Sequence, residues 1–280
     1  MTGRTVLITG PTSGLGLEMA RQLAAQGARL LLACRDGARG ETTADELRRR
    51  HPGVQAEVLT VDMARPQAVR ALAARVRERV SRLDVLLNNA GLNRRARQET
   101  PEGIELTFAA NVLGPHLLSQ ELLELLKSST PSRIVNVAST FARSLDLEDL
   151  QFTRRPYEGR EAYAQSKACN RLLSWALARR LEGSGVTVNA MAPGLVQTRL
   201  FRDTPFVTRQ MVRLAGLFFG RSVEQGADTA VWLASSPEVA DRSGGFYSVR
   251  REIPCEYRDE AREERLWTGC ERLLDGARQG

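Results

Sequence analysis

Short apolar, β-branched runs recur along the chain, each closing on a polar or glycine-containing turn: Arg4 to Thr9, Ala28 to Cys34, Gln55 to Val61, Leu83 to Leu87, Ile134 to Ala138, Gly185 to Ala190 and Gly245 to Val249. Runs of this kind predict strands. Between them, over 17–26, 66–80, 102–127, 160–182 and 224–235, apolar residues recur with the period of a helix buried along one side. Strands separated by helices cannot pair as hairpins, so the alternation predicts one α/β domain on a parallel sheet, residues 1–249. Beyond it the pattern changes. Arg250 to Pro254 leads into a charged stretch, 258–274, in which Ala261, Leu266, Cys270, Leu273 and Leu274 form an apolar stripe. The tail, 250–280, is therefore expected to dock on the domain as a helical extension.

The first strand runs directly into Gly10-Pro-Thr-Ser-Gly-Leu-Gly16, and a helical pattern follows at once, ending at Gly27. This order suits a dinucleotide. Glycines let the backbone approach a pyrophosphate, and the start of the next helix offers unpaired N–H groups and partial positive charge. The spacing Gly-x-x-x-Gly-x-Gly is a variant of the general fingerprint, and an ordinary glycine-rich βα turn is the alternative. The second strand ends at Cys34-Arg35-Asp36. An acid at the Cys34 position would bind the ribose 2′-hydroxyl of NAD, whereas a guanidinium suits the 2′-phosphate of NADP. Arg35 thus favours NADP(H). Asp36, as a displaced acid, keeps NAD(H) open, unless it serves only as a helix cap.

Ligands of open α/β sheets bind outside the carboxyl ends of the strands. Here those ends deliver Asp62, Asn88, Ser139 and Gly194, which are expected to face one crevice. Tyr163 and Lys167 stand four residues apart on a predicted helix, so their side chains share a face. A phenol of ordinary pKa, about 10, is a poor acid or base near neutrality, and a neighbouring ammonium favours its ionised form. Tyr163 is thereby a candidate general acid or base.

Taken in order, Thr9-Gly-x-x-x-Gly-x-Gly16, Asn88-Asn-Ala-Gly91, Asn111 in Asn-Val-Leu-Gly114, Ser139, Tyr163-x-x-x-Lys167 and Pro193-Gly194 resemble the motif set of the short-chain dehydrogenases/reductases over residues 4 to 198. Leu32-Ala-Cys-Arg35, Gly244-Gly-Phe-Tyr247 and Leu266-Trp267 resemble the branch containing retinol dehydrogenases and protochlorophyllide reductases. The resemblance implies a Rossmann-type doubly wound sheet and hydride transfer between a nicotinamide cofactor and a carbonyl or alcohol. It implies that Tyr163 exchanges the proton, Ser139 hydrogen-bonds the reacting oxygen, Lys167 binds the nicotinamide ribose and lowers the tyrosine pKa, and Asn111 helps hold a relay water. The cofactor would meet Gly10, Thr12, Ser13, Gly14, Leu15 and Gly16 in the first turn, and Arg35, Asp62 and Met63 at the next strand ends. Asn88, Ala90 and Gly91 would follow, then Tyr163 and Lys167, and Pro193, Gly194, Val196 and Thr198 would complete the set. Ala138 departs from the family's usual paired serines, and Asn93-Arg-Arg95 is unusually basic for a loop beside the site. Reduction of a carbon–carbon double bond is the alternative chemistry. A non-catalytic dinucleotide sensor or scaffold is a third possibility, although Ser139, Tyr163 and Lys167 are all present.

In this family the stretch matching 198–222 covers the substrate. Phe201, Phe206, Met211, Leu214, Leu217, Phe218 and Phe219 make it apolar, which implies a hydrophobic small-molecule substrate; resting on a membrane or partner is the competing reading. The net charge of +7 comes from arginines spread over most helices without an aromatic stacking platform, so nucleic-acid binding is not expected. No apolar run approaches the roughly 20 residues of a bilayer span, so no stable membrane insertion is expected either. Only Met1-Thr-Gly precedes the first strand, leaving no room for a signal peptide. Cys34, Cys169, Cys255 and Cys270 have no metal or redox spacing, and His51 and His116 are isolated, so no metal is expected and a cytoplasmic location is. A docked tail would cover surface used for tetramer packing, which predicts a monomer or homodimer.

Overall fold

The apolar runs become the strands of one sheet: β1 (Thr5–Thr9), β2 (Arg29–Cys34), β3 (Ala56–Thr60), β4 (Val85–Asn88), β5 (Ser132–Val137), β6 (Val186–Met191), β7 (Phe246–Ser248) and β8 (Arg251–Glu252). The structure, a computed structural model, describes residues 1–194, 221–255 and 258–279. The strand order is β3-β2-β1-β4-β5-β6-β7-β8, parallel except for the antiparallel β7–β8 pair. Side chains alternate across it. Leu7, Leu31, Leu86, Ile134 and Val188 point into one core, while Val6, Ile8, Leu30, Leu32, Leu87 and Val135 point into the other. Both faces are covered by helices, which is why the strands read as continuous apolar runs.

One layer holds α1 (Gly14–Ala25), α2 (Gly37–Arg50) and α8 (Val223–Ser235). The other holds α3 (Pro66–Arg79), α5 (Gly114–Glu121), α6 (Leu123–Ser128), α7 (Gly159–Arg180) and α9 (Glu260–Gln279). The helix expected over 102–127 differs from the pattern. It starts at Leu106 as α4 (Leu106–Phe108), where the Glu105 carboxylate accepts from the Thr107 and Phe108 amides at 2.8 and 2.6 Å. It then passes through a π turn, Ala109–Leu113, before α5. Residues 101–105 are excluded from the helix because that carboxylate cap fixes its start.

The last parallel strand also ends earlier than its apolar run. Val249 and Arg250 take left-handed backbone, φ 55° and 56°, and turn the chain into β8. Such a two-residue turn matches strand twist but favours Asn and Gly over a β-branched residue. Val249 is also 48% exposed, so its side chain gains little from packing. Val249→Asn is expected to stabilise the fold by about 1 kcal/mol, read as a higher denaturant midpoint with unchanged slope.

The tail packs against α7. Leu266, Trp267, Cys270, Leu274 and Ala277 are buried, Leu273 is half-buried, and Ala261 is exposed, contrary to the expected stripe. Glu263 takes the buried register that continues from Leu266 and Cys270, and the Arg179 guanidinium pairs with its carboxylate. Arg180 donates to Glu264 at 2.9 Å and lies 3.9 Å from the centroid of the Trp267 ring, whose edge meets His116 with centroids 4.5 Å apart. Burial pushes the His116 imidazole down to about 4, so it packs as a neutral ring. Among the described residues no helix is long and apolar enough to cross a membrane. Val196, Thr198 and residues 199–220 of the expected substrate cover lie outside the described residues.

Candidate active site

The glycine turn is held from below by the loop after β4. Thr9 Oγ1 accepts from the Asn89 and Ala90 amides, both at 3.0 Å, and Asn89 Nδ2 donates to the carbonyls of Thr9 at 2.8 Å and Gly10 at 3.2 Å. This clamp leaves no room for side chains. A Cβ on Gly16 would stand 2.2 Å from Gly10 O and 2.4 Å from Asn89 Nδ2, so α1 can start in contact with the turn only because that position is glycine. Gly10 itself has φ 69°. Ser13 is the N-cap of α1 but makes no side-chain bond into the helix, so it does not satisfy the first-turn amides beyond it, which include Gly14 and Leu15.

At the end of β2, Arg35 is exposed and Asp36 caps α2, accepting from the Arg39 amide at 3.1 Å. Asp36 is thus a helix cap in this structure. The Arg39 side chain crosses to the glycine turn and donates to Thr12 O at 3.2 Å. Cys34 is buried beneath, and burial followed by the Asp36 charge pushes its thiol up. After β3, Asp62 accepts from the Ala64 amide at 3.0 Å, while Met63 is buried with its carbonyl against Gly114.

Asn88 does not face the crevice. It shares the sheet face of Leu86, and its Nδ2 donates to Ser119 Oγ at 3.0 Å and Asn136 Oδ1 at 2.8 Å within a buried network. β4 ends there, and the next residue, Asn89, turns its side chain to the glycine turn. Gly91 follows, so close that a Cβ there would stand 3.3 Å from Asn111 Oδ1 and 3.8 Å from Lys167 Nζ. The Asn111 side chain clamps this loop: Oδ1 accepts from Leu92 N at 2.8 Å, and Nδ2 donates to Leu92 O at 2.9 Å and Ser166 Oγ at 3.0 Å. Pro193 and Gly194 follow β6, with Gly194 at φ 77° against the Arg221 side chain. The basic Asn93-Arg-Arg95 loop packs on the first turn of α7, where Gly159 meets Arg94 O.

Ser139, Tyr163 and Lys167 come together at the end of β5. Ser139 Oγ accepts from the Phe141 amide at 3.0 Å and hydrogen-bonds the Tyr163 side chain. Tyr163 is 7% exposed, and burial raises its pKa against the lowering effect of the Ser139 bond. The expected downward pull of Lys167 on the phenol does not dominate. The ammonium donates to Val137 O at 2.8 Å and lies 5.6 Å from the ring centroid, while burial brings its own pKa down to about 8. The phenol is therefore neutral at neutral pH and Lys167 sits near its titration point.

A sequence model described as short chain dehydrogenase matches residues 4–205. The chain belongs to the short-chain dehydrogenase family. It is 40% identical to human retinol dehydrogenase 14, over 95% of this chain and 85% of that protein, and 38% identical to human retinol dehydrogenase 13, over 97% and 85%. Among solved structures it is similar to an uncharacterized protein from Mycobacterium paratuberculosis, with TM-score 0.77, 32% identity and coverage of 98% and 94%. It is also similar to the Pseudomonas aeruginosa RhlG/NADP active-site complex, with TM-score 0.72, 29% identity and coverage of 88% and 94%. Membership makes the chain an oxidoreductase of CH–OH and C=O groups. The hydrophobic pattern does not single out Thr9, Asn89 or Arg39 as supports of the glycine turn. For Arg39 the available signal is its place in the first turn of α2, directly after the Asp36 cap.

Proposed function

We propose that this protein is an NADP(H)-dependent oxidoreductase that interconverts a carbonyl and an alcohol on a hydrophobic small molecule, with Tyr163 as general acid and base. The observation that carries this reading is the buried Ser139–Tyr163 hydrogen bond, with Lys167 one helical turn along α7 and beside Gly91. The residues fit the dinucleotide. The cradle that a Cβ on Gly16 would fill, the first-turn amides of α1, Arg35 after β2 and Arg39 in the first turn of α2 suit a pyrophosphate and a 2′-phosphate. Gly91, Pro193 and Gly194 would border it, and Lys167 would bind the nicotinamide ribose.

The bound nicotinamide supplies or accepts the hydride. Tyr163, neutral because burial raises its pKa, donates its hydroxyl proton to the carbonyl oxygen as that oxygen becomes basic. Ser139 hydrogen-bonds the same oxygen and orients it. In the oxidative direction the phenolate form of Tyr163, stabilised by the nearby Lys167 ammonium, takes the proton from the alcohol and becomes the neutral phenol. Asn111 supports a proton relay by its place in the π turn, since its side chain is already engaged with Leu92 and Ser166.

The names of the relatives and the phenylalanine-rich 198–221 sequence support a hydrophobic substrate such as a polyene aldehyde or its alcohol. A screen of aldehydes, ketones and enones, retinal among them, with NADPH and NADH, followed at the nicotinamide absorbance, tests the reading. An alcohol product supports it. Saturation of an enone with the carbonyl retained replaces it with the double-bond chemistry, and binding of NADPH without turnover on any member replaces it with a sensor.

Arg35→Ala is expected to weaken NADPH binding about tenfold or more while leaving NADH binding nearly unchanged, because it removes a partner of the 2′-phosphate alone. Equal losses for both cofactors in a fluorescence titration would refute the NADP preference. The docking of α9 supports a monomer or homodimer, and the reduced cysteines support a cytoplasmic location. Light scattering at micromolar concentration is expected to exclude a tetramer.

A further inference from the structure

Arg171 stands one turn beyond Lys167 on α7 and is only 5% exposed, with apolar Ala168 and Leu172 buried beside it. Among the described residues no carboxylate lies within ion-pair distance of its guanidinium. Instead Nη2 donates to Ser139 O, Nη1 donates to Cys255 Sγ at 3.2 Å, the guanidinium lies 3.8 Å from the centroid of the Phe246 ring, and Nε is buried without a partner. A buried cation with one hydrogen bond unmade is a poor device for stability, and an aliphatic side chain of the same volume is usually neutral or better. Its geometry points to another role.

The β5–β6 ladder closes with the Ala138 amide donating to Met191 O at 2.8 Å, so the carbonyl of Ser139 lies past the last paired residue. Lys167 and Arg171 are separated by about 6 Å along their helix. Each cation takes one carbonyl at this strand end: Lys167 that of Val137, Arg171 that of Ser139.

We propose that Arg171 is a positioning residue for the reaction: by holding the backbone of Ser139 it aims the Ser139 hydroxyl at Tyr163 and the reacting oxygen. The other contacts of the guanidinium, to Phe246 of β7 and Cys255 beyond β8, tie this aim to the segment that leads into α9. The inference rests on the assignment of Ser139 and Tyr163 made above.

The test compares wild type, Arg171→Met and Arg171→Lys in alcohol oxidation across pH, with NADPH affinity and thermal midpoint measured alongside. Arg171→Met is expected to lower kcat about tenfold or more with KM and NADPH affinity nearly unchanged, because a displaced serine costs the chemical step rather than binding. The Ser139 bond lowers the Tyr163 pKa, so loosening it is expected to move the rise of kcat with pH to higher pH. Arg171→Lys, which keeps one donor in reach of the carbonyl, is expected to recover part of both effects. A normal kcat with an unshifted profile in Arg171→Met overturns the proposal, as does an equal loss in kcat and NADPH affinity. Should Arg171→Met fail to fold, Arg171→Lys carries the test by the same criteria, with a wild-type kcat and profile as the refuting outcome. Wild-type inactivity on every alcohol and carbonyl would strike the proposed function itself, whereas losses confined to the variants bear only on Arg171.

Discussion

Tyr163→Phe is expected to reduce turnover roughly a thousandfold while NADPH still binds with near wild-type affinity. The ring is enclosed by its neighbours on α7 and around β5, and the substitution keeps that shape while removing the hydroxyl proton proposed above to pass to the substrate oxygen. Ser139 retains its bond from the Phe141 amide at 3.0 Å, so the serine does not lose its anchor with the phenol. Rate and affinity should therefore separate cleanly. Fluorescence titration with NADPH gives the affinity, and absorbance of the nicotinamide gives the rate. Turnover within a few fold of wild type would move the proton donor elsewhere.

Lys167→Met should both disable the enzyme and make it harder to unfold. The ammonium is fully enclosed, and burial alone holds its pKa down to about 8 from the ordinary 10.5. Below about pH 8 the folded and unfolded chains are both protonated and the cost of enclosing the charge is fully present. Between about 8 and 10.5 the unfolded chain keeps a proton that the folded chain has released, so stability rises with pH through that window. The cost at neutral pH is on the order of 3 kcal/mol, less whatever the bond to Val137 O returns. Methionine fills the space without the charge. The variant is expected to melt above wild type at pH 7, to lose the rise in stability between pH 8 and 10.5, to bind NADPH more weakly, and to turn over at least about a hundredfold more slowly. A lower midpoint at pH 7 would show that the charge is stabilised where it sits.

The sheet and its glycine turn are legible in the sequence because their causes are local: strands covered on both faces must be apolar throughout, and Gly10 and Gly16 occupy places where a Cβ collides with backbone or Asn89. Tyr163 and Lys167 are legible because four residues on a helix fix a shared face. What the pattern misses depends on partners remote in the chain. Nothing near Asn88 announces that Ser119 and Asn136 will take its amide, leaving Asn89 to brace the turn. The π turn around Asn111 differs from an α-helix by one added residue, which hydrophobic spacing does not register. Glu263 and Arg171 read as surface charges until Arg179, Phe246 and the Ser139 carbonyl are brought to them by the fold. β7 ends before its apolar run does because Val249 has a strand former's side chain on a turn backbone.

The enclosure of α7, with the sheet on one side and α9 on the other and almost every residue from Ala162 to Leu177 buried, bears on how such a chain can change over generations. A substitution almost anywhere along that helix disturbs the packing around Tyr163 and Lys167, to which the proton transfer is assigned above as a proposal. Residues 143–148 after β5 are exposed or half-buried, so a lineage can vary that loop while the residues packed along α7 are inherited intact.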